Sequence, residues 1–374
     1  MRTELPKPGA DELAHSERLA AVIRAEIAAA GGAIDFARYM ELALYAPGLG
    51  YYSAGATKFG AAGDFVTAPE LGFVFARCLA RALAPVLRAT RGDVLELGPG
   101  SGALAAELLL ELERLDALPA RYRLLERSAD LRERQRAMLA RRCPHLHKHA
   151  EWLDAPPYEA WRGVLVANEV ADALPVRLFA LREHGLFARA VGVESDGRFA
   201  WRELPADVAL QAAVEHALGT ARELPLPYLS EVRPMLAPWF GEVAGTLERG
   251  TAFIIDYGYT RQDFYRSERN VGTLRCHYRH RVHDDPLALP GLQDITAWVD
   301  FDDVADAAER LGFETRSLAS QAQFLLGNGL ENVYADAYSN ASEEAERYRL
   351  SQEIKRLTLP GQMGDAFKIA AFVK

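Results

Sequence analysis

Three glycines alternate between residues 98 and 102, and the groups around them could hold a nucleoside. The stretch VLELGPGSG at 94–102 reads as a buried strand, a tight turn and the start of a helix at Ala103. Glycines at such a turn let the backbone approach a ligand with no Cβ in the way. The turn also offers backbone N–H groups and a helix N-terminus. Glu96, at the end of the strand, adds a carboxylate. A ligand of mixed charge that carries a nucleoside matches that set, with Glu96, Gly98, Gly100 and Gly102 as its contacts.

A second acid stands at the end of the next expected strand, Glu126 in RLLERS. In open α/β sheets an acid placed there accepts hydrogen bonds from ribose hydroxyls; the alternative is a solvated strand-end charge. Two cofactors fit so far. Glu96-x-Gly98-x-Gly100-x-Gly102 is the pattern that class I methyltransferases use for S-adenosyl-L-methionine. Gly98-x-Gly100-x-x-Ala103 also satisfies the dinucleotide fingerprint of NAD-dependent oxidoreductases. Glu96 and the C-terminal strand favour the methyltransferase, whose parallel sheet carries an antiparallel last strand. The roughly ninety residues before the turn also fit poorly with dinucleotide folds, which usually open on it.

The acceptor chemistry is read from VANEVADALPV at 166–176, which follows the fourth expected strand. Ligands bind at this carboxyl edge of open α/β sheets. Asn168, Glu169 and Asp172 are therefore the catalytic candidates. Two carboxylates suit a planar, cationic guanidinium. They also suit the charge that develops as a nitrogen takes a methyl group. The alternative for Asp172 is a cap of the next turn. In GDFVTAPE at 63–70, Asp64 and Thr67 could meet the amino-acid end of the cofactor, or could simply shape a turn. IDYGY at 255–259 ends another strand, where Asp256 and Tyr257 could line the substrate side. His145, His147 and His149, and His277, His280 and His283, complete no familiar metal spacing, so no metal is expected.

These groups need a frame. From Asp93 on, strands alternate with helices, which predicts a parallel sheet. Strands are expected near 93–97, 121–126, 146–149, 163–168, 251–257 and 313–318, with helices at 102–115, 128–142, 230–247 and 301–311. AFKIAAFVK forms a last strand. The methyltransferase core is thus expected over 91–175, 228–318 and 358–374. Residues 1–90 form an N-terminal helical extension with a Gly-rich loop; a tyrosine-dense segment spans 34–53. Residues 176–227 read as a β-rich insertion with turns at His184-Gly185 and Asp196-Gly197, residues 258–299 as a long irregular loop, and 319–357 as a helical insertion.

Composition narrows the classes. A net charge of −9 over 374 residues argues against nucleic acid, whose binding rests on neutralising phosphates. No stretch is long and apolar enough to span a bilayer. Cys78, Cys143 and Cys276 are odd in number and far apart, which argues against a disulfide framework and for a reducing compartment. The start, MRTELPKPGADELAHSERLA, has no apolar run of a secretory signal. A cytoplasmic protein is expected.

Together the motifs resemble the mitochondrial complex I assembly methyltransferases and their bacterial relatives, the mitochondrial dysfunction protein A family. The matching stretches are Tyr39-Met40 with Gly50-Tyr51-Tyr52, GDFVTAPELG at 63–72, LELGPGSG at 95–102, LLERSADLRERQ at 124–135, NEVADALPV at 168–176, IDYGY at 255–259, GTLRCHYRHRVHDDPLALPGLQDITAWVDF at 272–301 and MGDAFK at 363–368. The resemblance covers almost the whole chain. Two positions depart: the family often has phenylalanine where Val170 stands and histidine where Trp298 stands. The resemblance implies an α/β, Rossmann-like class I methyltransferase fold, a seven-stranded and mostly parallel sheet with an antiparallel last strand. It implies S-adenosyl-L-methionine as cofactor and a protein substrate, arginine favoured, on a respiratory complex I subunit. Arg275, in the GTLR segment, is a further candidate substrate contact. The alternative is a non-catalytic assembly protein that grips a partner through its insertions.

Overall fold

The frame begins with a strand that water does not reach on either face. Asp93–Leu97 (β1) is buried at every position. Val94 packs into one apolar cluster with helices Val74–Thr90 and Ala103–Arg114. Leu95 and Leu97 pack into a second, with helices Leu236–Ala244 and Phe301–Arg310. A strand sandwiched this way belongs to a parallel sheet covered by helices on both sides. Each such side chain contributes about 1.5–3 kcal/mol relative to exposure, so the sheet is a stiff platform for whatever projects from its edge. The computed structural model describes residues 5–54, 68–219 and 224–374.

The other core strands are Tyr122–Leu125 (β2), Ala150–Leu153 (β3), Trp161–Asn168 (β4), Leu247–Tyr259 (β5), Glu314–Ser320 (β6) and Phe367–Val373 (β7). Their order across the sheet is β6-β7-β5-β4-β1-β2-β3. β5, β4, β1, β2 and β3 pair in parallel. β7 runs antiparallel between β5 and β6. This is the expected sheet, with one addition: Val299–Asp300 pairs as a short eighth strand with the tip of β5. The order reverses between β1 and β4, so their carboxyl ends open a crevice there.

Three expectations are corrected. The strand placed near 146–149 lies at 150–153, and His147–His149 is one turn of 3-10 helix, so the alternating histidines share no strand face. Pro144 follows the end of the preceding helix, and the chain needs that turn before it can enter the sheet. The helix expected over 230–247 starts only at Leu236; Tyr228–Val232 is a strand, and Pro234 separates the two. The stretch 258–299 is not irregular. It holds a short helix, Arg261–Phe264, and a three-stranded antiparallel sheet of Arg275–Tyr278, Arg281–His283 and Asp294–Thr296.

The region after residue 176 forms its own antiparallel sheet. Strands Arg177–Arg182, Gly185–Val193 and Phe199–Pro205 follow the two turns read from the sequence. This sheet also takes in Ala33–Asp35 from the N-terminal extension and Tyr228–Val232. A third apolar cluster joins helix Ala10–Ala29, helix Phe36–Tyr45, Ala173 and Val176 beyond β4, and Cys276 and Ile295 of the three-stranded sheet. Segments far apart in sequence thereby close around the end of β4. Helices Gln321–Gly327, Leu330–Asn340 and Glu344–Thr358 pack on the side of the sheet that carries helices Val74–Thr90 and Ala103–Arg114.

Candidate active site

The glycine turn has the backbone shape that the sequence demands. Gly98, Gly100 and Gly102 have φ of +56°, +52° and +82°, values that side chains other than glycine rarely adopt. A Cβ on Gly102 would meet Gln135 Cα at 3.2 Å, and one on Gly98 would meet Val170 at 3.2 Å. Gly98 is exposed and Gly100 half-buried, whereas Gly102 is buried against Gln135.

Glu126 stands beside it at the end of β2. Its carboxylate accepts from Ser128 N (2.8 Å) and from Gln135 Nε2 (3.3 Å), and Gln135 Nε2 also donates to Gly100 O at 3.0 Å. Trp152 Nε1 in turn donates to Gln135 Oε1 at 2.9 Å. Gln135 therefore ties the acid to the glycine turn, a role sequence reading missed. Its signal was present: Ser128 caps helix Ala129–Arg142, and Arg132 and Gln135 lie one turn apart on the face turned to the sheet. Burial raises the Glu126 carboxyl above the ordinary carboxylate range, and the Ser128 and Gln135 donors oppose that rise.

Glu96 behaves differently from the expectation. It is 2% exposed, and the Tyr122 hydroxyl donates to it at 2.7 Å. Burial pushes its carboxyl up to about 7, with the Tyr122 bond opposing. Side chains alternate along a strand, and Glu96 falls on the same face as Val94, under the helices. It supports the turn from behind and presents no carboxylate to the crevice. Asp64 and Thr67 lie outside the described residues.

On the other side of the crevice, β4 ends in a strained turn. Glu169 has φ +54°, a left-handed conformation for a residue with a full side chain. Its amide donates to Ile255 O at 2.9 Å, which fixes the kink. Asn168 Nδ2 donates to Glu169 Oε1 at 3.1 Å, and the Ala68 amide also bonds the Glu169 carboxylate. Asn168 Oδ1 is buried and has no hydrogen-bond partner among the described residues. Burial, and then the nearby Asp172 charge, push the Glu169 carboxyl up to about 8. A strained residue, an orphaned acceptor and a displaced pKa at one strand end mark a functional site.

Asp172 and Asp256 are brought here too, but as supports. Asp256 is fully buried. Its Oδ2 accepts from Ala171 N (2.9 Å) and Asp172 N (3.1 Å), and its Oδ1 from Tyr257 N (2.9 Å). It clamps the turn after β4 and is closed to substrate, contrary to expectation. Asp172 is 6% exposed, and burial pushes its carboxyl up to about 6 while the Arg233 charge opposes. Sequence reading assigned no role to Arg233, yet it is a buried counter-charge of the site. Its guanidinium donates to Ala297 O (2.6 Å), Trp298 O (3.1 Å), Leu174 O (3.2 Å) and Asp172 O (3.3 Å). Asn168 and Glu169 remain as the partly exposed pair.

Aromatic rings wall the crevice. Tyr257 packs on Phe367 (3.9 Å) and faces Trp298 (6.2 Å), which stacks on Tyr259 (4.7 Å). Tyr45 and Tyr52 stack at 5.5 Å; their hydroxyls donate to Ala173 O (3.0 Å) and Asp294 Oδ1 (2.9 Å). Arg275 is not among these groups: it donates to Leu274 O and lies 3.4 Å from Asp284 on the three-stranded sheet.

The sequence profile of a family of S-adenosyl-L-methionine-dependent methyltransferases matches residues 78–318. The chain belongs to this family. A protein arginine methyltransferase NDUFAF7 homolog of Drosophila melanogaster is 30% identical over 404 aligned positions, covering 94% of this chain and 84% of that protein. The NDUFAF7 protein of Rattus norvegicus is 28% identical, covering 91% and 81%. A crystal structure from Burkholderia thailandensis, bound to S-adenosyl-homocysteine, superposes with a TM-score of 0.93 at 43% identity, covering 99% of this chain and 95% of that one. These findings decide between the two cofactors the glycines left open. The protein is an S-adenosyl-L-methionine-dependent methyltransferase, and the open glycine turn and partly exposed Glu126 carboxylate fit that cofactor. In the methyltransferase, Gly98, Gly100, Gly102 and Glu126 come together at the carboxyl ends of β1 and β2.

Proposed function

We propose that the protein methylates a guanidinium nitrogen of an arginine in a protein substrate, with a respiratory complex I subunit as the favoured substrate. The observation that carries this reading is the pairing of Asn168 Oδ1, a buried acceptor with no partner among the described residues, with the Glu169 carboxylate. A guanidinium offers only donors, in a planar fork, and two adjacent acceptors suit it. The names of the mitochondrial relatives point to the same acceptor.

When bound, S-adenosyl-L-methionine supplies an electrophilic methyl group. Asn168 and Glu169 hold the acceptor nitrogen in line with it, and such positioning is worth up to about 7–11 kcal/mol of barrier. As the N–CH3 bond forms, the nitrogen must lose a proton. Free guanidinium has a pKa above about 12, so a base is needed. Glu169 takes that proton, and its raised pKa suits it to proton transfer near neutral pH. Asp256 and Arg233 keep the turn rigid while this happens.

The test is radiolabelled methyl transfer into extract from cells that lack this protein, followed by mass spectrometry of the labelled band. Methylarginine is expected. Label on lysine, on histidine or on a small molecule would overturn the arginine assignment.

A further inference from the structure

The tyrosine-dense segment before the core has no part in the mechanism above, yet it reaches the crevice. Tyr45 is the last residue of helix Phe36–Tyr45, and Tyr52 follows in the turn beyond it. Tyr45 is hydrogen-bonded through its hydroxyl to Ala173 O, four residues past Glu169, and one face of its ring lies on Tyr52. It is still 39% exposed. The hydroxyl and one ring face are engaged, and the residue keeps that exposure over the rest of its surface. Tyr52 is braced edge-on by Tyr51 at 5.1 Å and by its bond to the buried Asp294 carboxylate. That charge-assisted bond makes the Tyr52 ring more electron-rich. The Asp294 carboxylate sits at the Tyr52 hydroxyl, and Asp172 precedes the Ala173 carbonyl that accepts from Tyr45, so both acids stand near the hydroxyl ends of the rings, with the Arg233 guanidinium beside Asp172. An electron-rich aromatic face backed by negative charge attracts a planar cation.

We propose that the Tyr45–Tyr52 stack is a binding platform for the cationic acceptor side chain, on which a guanidinium lies flat beside the turn that carries Glu169. It rests on the arginine reading above and adds to it the residues that select a cation. The platform comes from the N-terminal extension, so that extension takes part in recognition and not only in packing. Tyr45 acts on binding of the acceptor and leaves cofactor affinity and the bond-forming step alone.

The probes are N-acetyl-arginine amide and its neutral isostere N-acetyl-citrulline amide, titrated by NMR into the full chain saturated with S-adenosyl-homocysteine. The wild type should prefer the arginine probe by about 10-fold. Tyr45→Leu should reduce that preference to about 2-fold or less, and Tyr45→Phe, which keeps the ring, should retain most of it. Unchanged S-adenosyl-homocysteine affinity in both variants confirms that they fold. Should Tyr45→Leu not fold, Tyr45→Gln, which keeps a polar side chain at this exposed position, takes its place. A wild-type preference that survives in the ring-less variant would overturn the platform and leave the arginine reading standing. A wild type that does not distinguish the two probes would overturn both.

Discussion

The two sides of the crevice are built on different principles. The cofactor side is mostly backbone from one contiguous stretch: β1, the glycine turn, β2 and the start of the next helix lie within residues 93–135. Among the described residues its side-chain acid is Glu126, held by neighbours two and nine residues away. The acceptor side is assembled from the ends of β4 and β5, the N-terminal extension, and the segment around residues 294–298. It relies on buried carboxylates, one buried arginine and aromatic rings. The first design recognises a fixed ligand with little side-chain commitment. The second concentrates strain and unbalanced charge at the turn where we place the chemistry.

If that contrast holds, variants on the two sides should fail in different ways. The largest effect is expected on the acceptor side. Glu169→Gln should lower turnover by about 10²-fold or more and leave S-adenosyl-homocysteine affinity within about 3-fold. Turnover by stopped time points and binding by calorimetry check it, and a Gln variant with wild-type turnover removes Glu169 from the reaction. Next comes the cofactor side. Gly102→Val forces a β-branched residue to φ +82° and against Gln135. Strain of about 1–3 kcal/mol should weaken S-adenosyl-homocysteine binding by about 10- to 100-fold. The same calorimetry reads it; unchanged affinity would mean the turn does not touch the cofactor.

The third prediction uses pH. Burial and Asp172 hold the Glu169 proton on until about pH 8, so the base form needed to accept a proton is scarce below that. kcat/KM should rise about 10-fold per pH unit up to about 8 and then flatten, because this ratio reports the free enzyme. The limb should vanish in Glu169→Gln. A flat wild-type profile from about pH 6 to 9 would assign the proton to another group. The smallest effect is on stability. Asp256→Asn puts an amide where three backbone N–H groups converge, and should cost about 1–3 kcal/mol in urea unfolding. Unchanged stability would show that the turn after β4 is held without this clamp.

The same contrast explains what could be read before the fold was seen. The cofactor side was legible because its signal is local: glycines at fixed spacing after an apolar strand, and an acid at the end of the next. The antiparallel last strand was legible for the same reason, as a short apolar run in AFKIAAFVK. Glu96 was misplaced because strand alternation decides which face it takes, and a motif does not record that. Asp256 looked like a substrate contact because it ends a strand at the right edge. Only the register of β5 against β4 reveals that it faces the backbone of residues 171 and 172. Arg233 and Tyr45 carry no local signal at all. Their partners lie 59–65 and 128 residues away, and nothing in the spacing announces them. The stretch 258–299 was read as loop because its strands are two to four residues long and alternate with charged turns.

The position of β7 has a consequence for how the molecule comes off the ribosome. β5 ends at Tyr259 and β7 begins at Phe367, so 107 residues separate two strands that lie side by side. At about 5–20 residues per second, β5 waits roughly 5–20 s for its neighbour. Its outer edge, carrying Ile254 and Ile255, is an unpaired apolar strand through that interval. β6 waits as well, since its ladder in the sheet is with β7. β5 can therefore be paired with β4 on one edge while its other edge is still open, and it is that newborn edge that a chaperone has reason to cover.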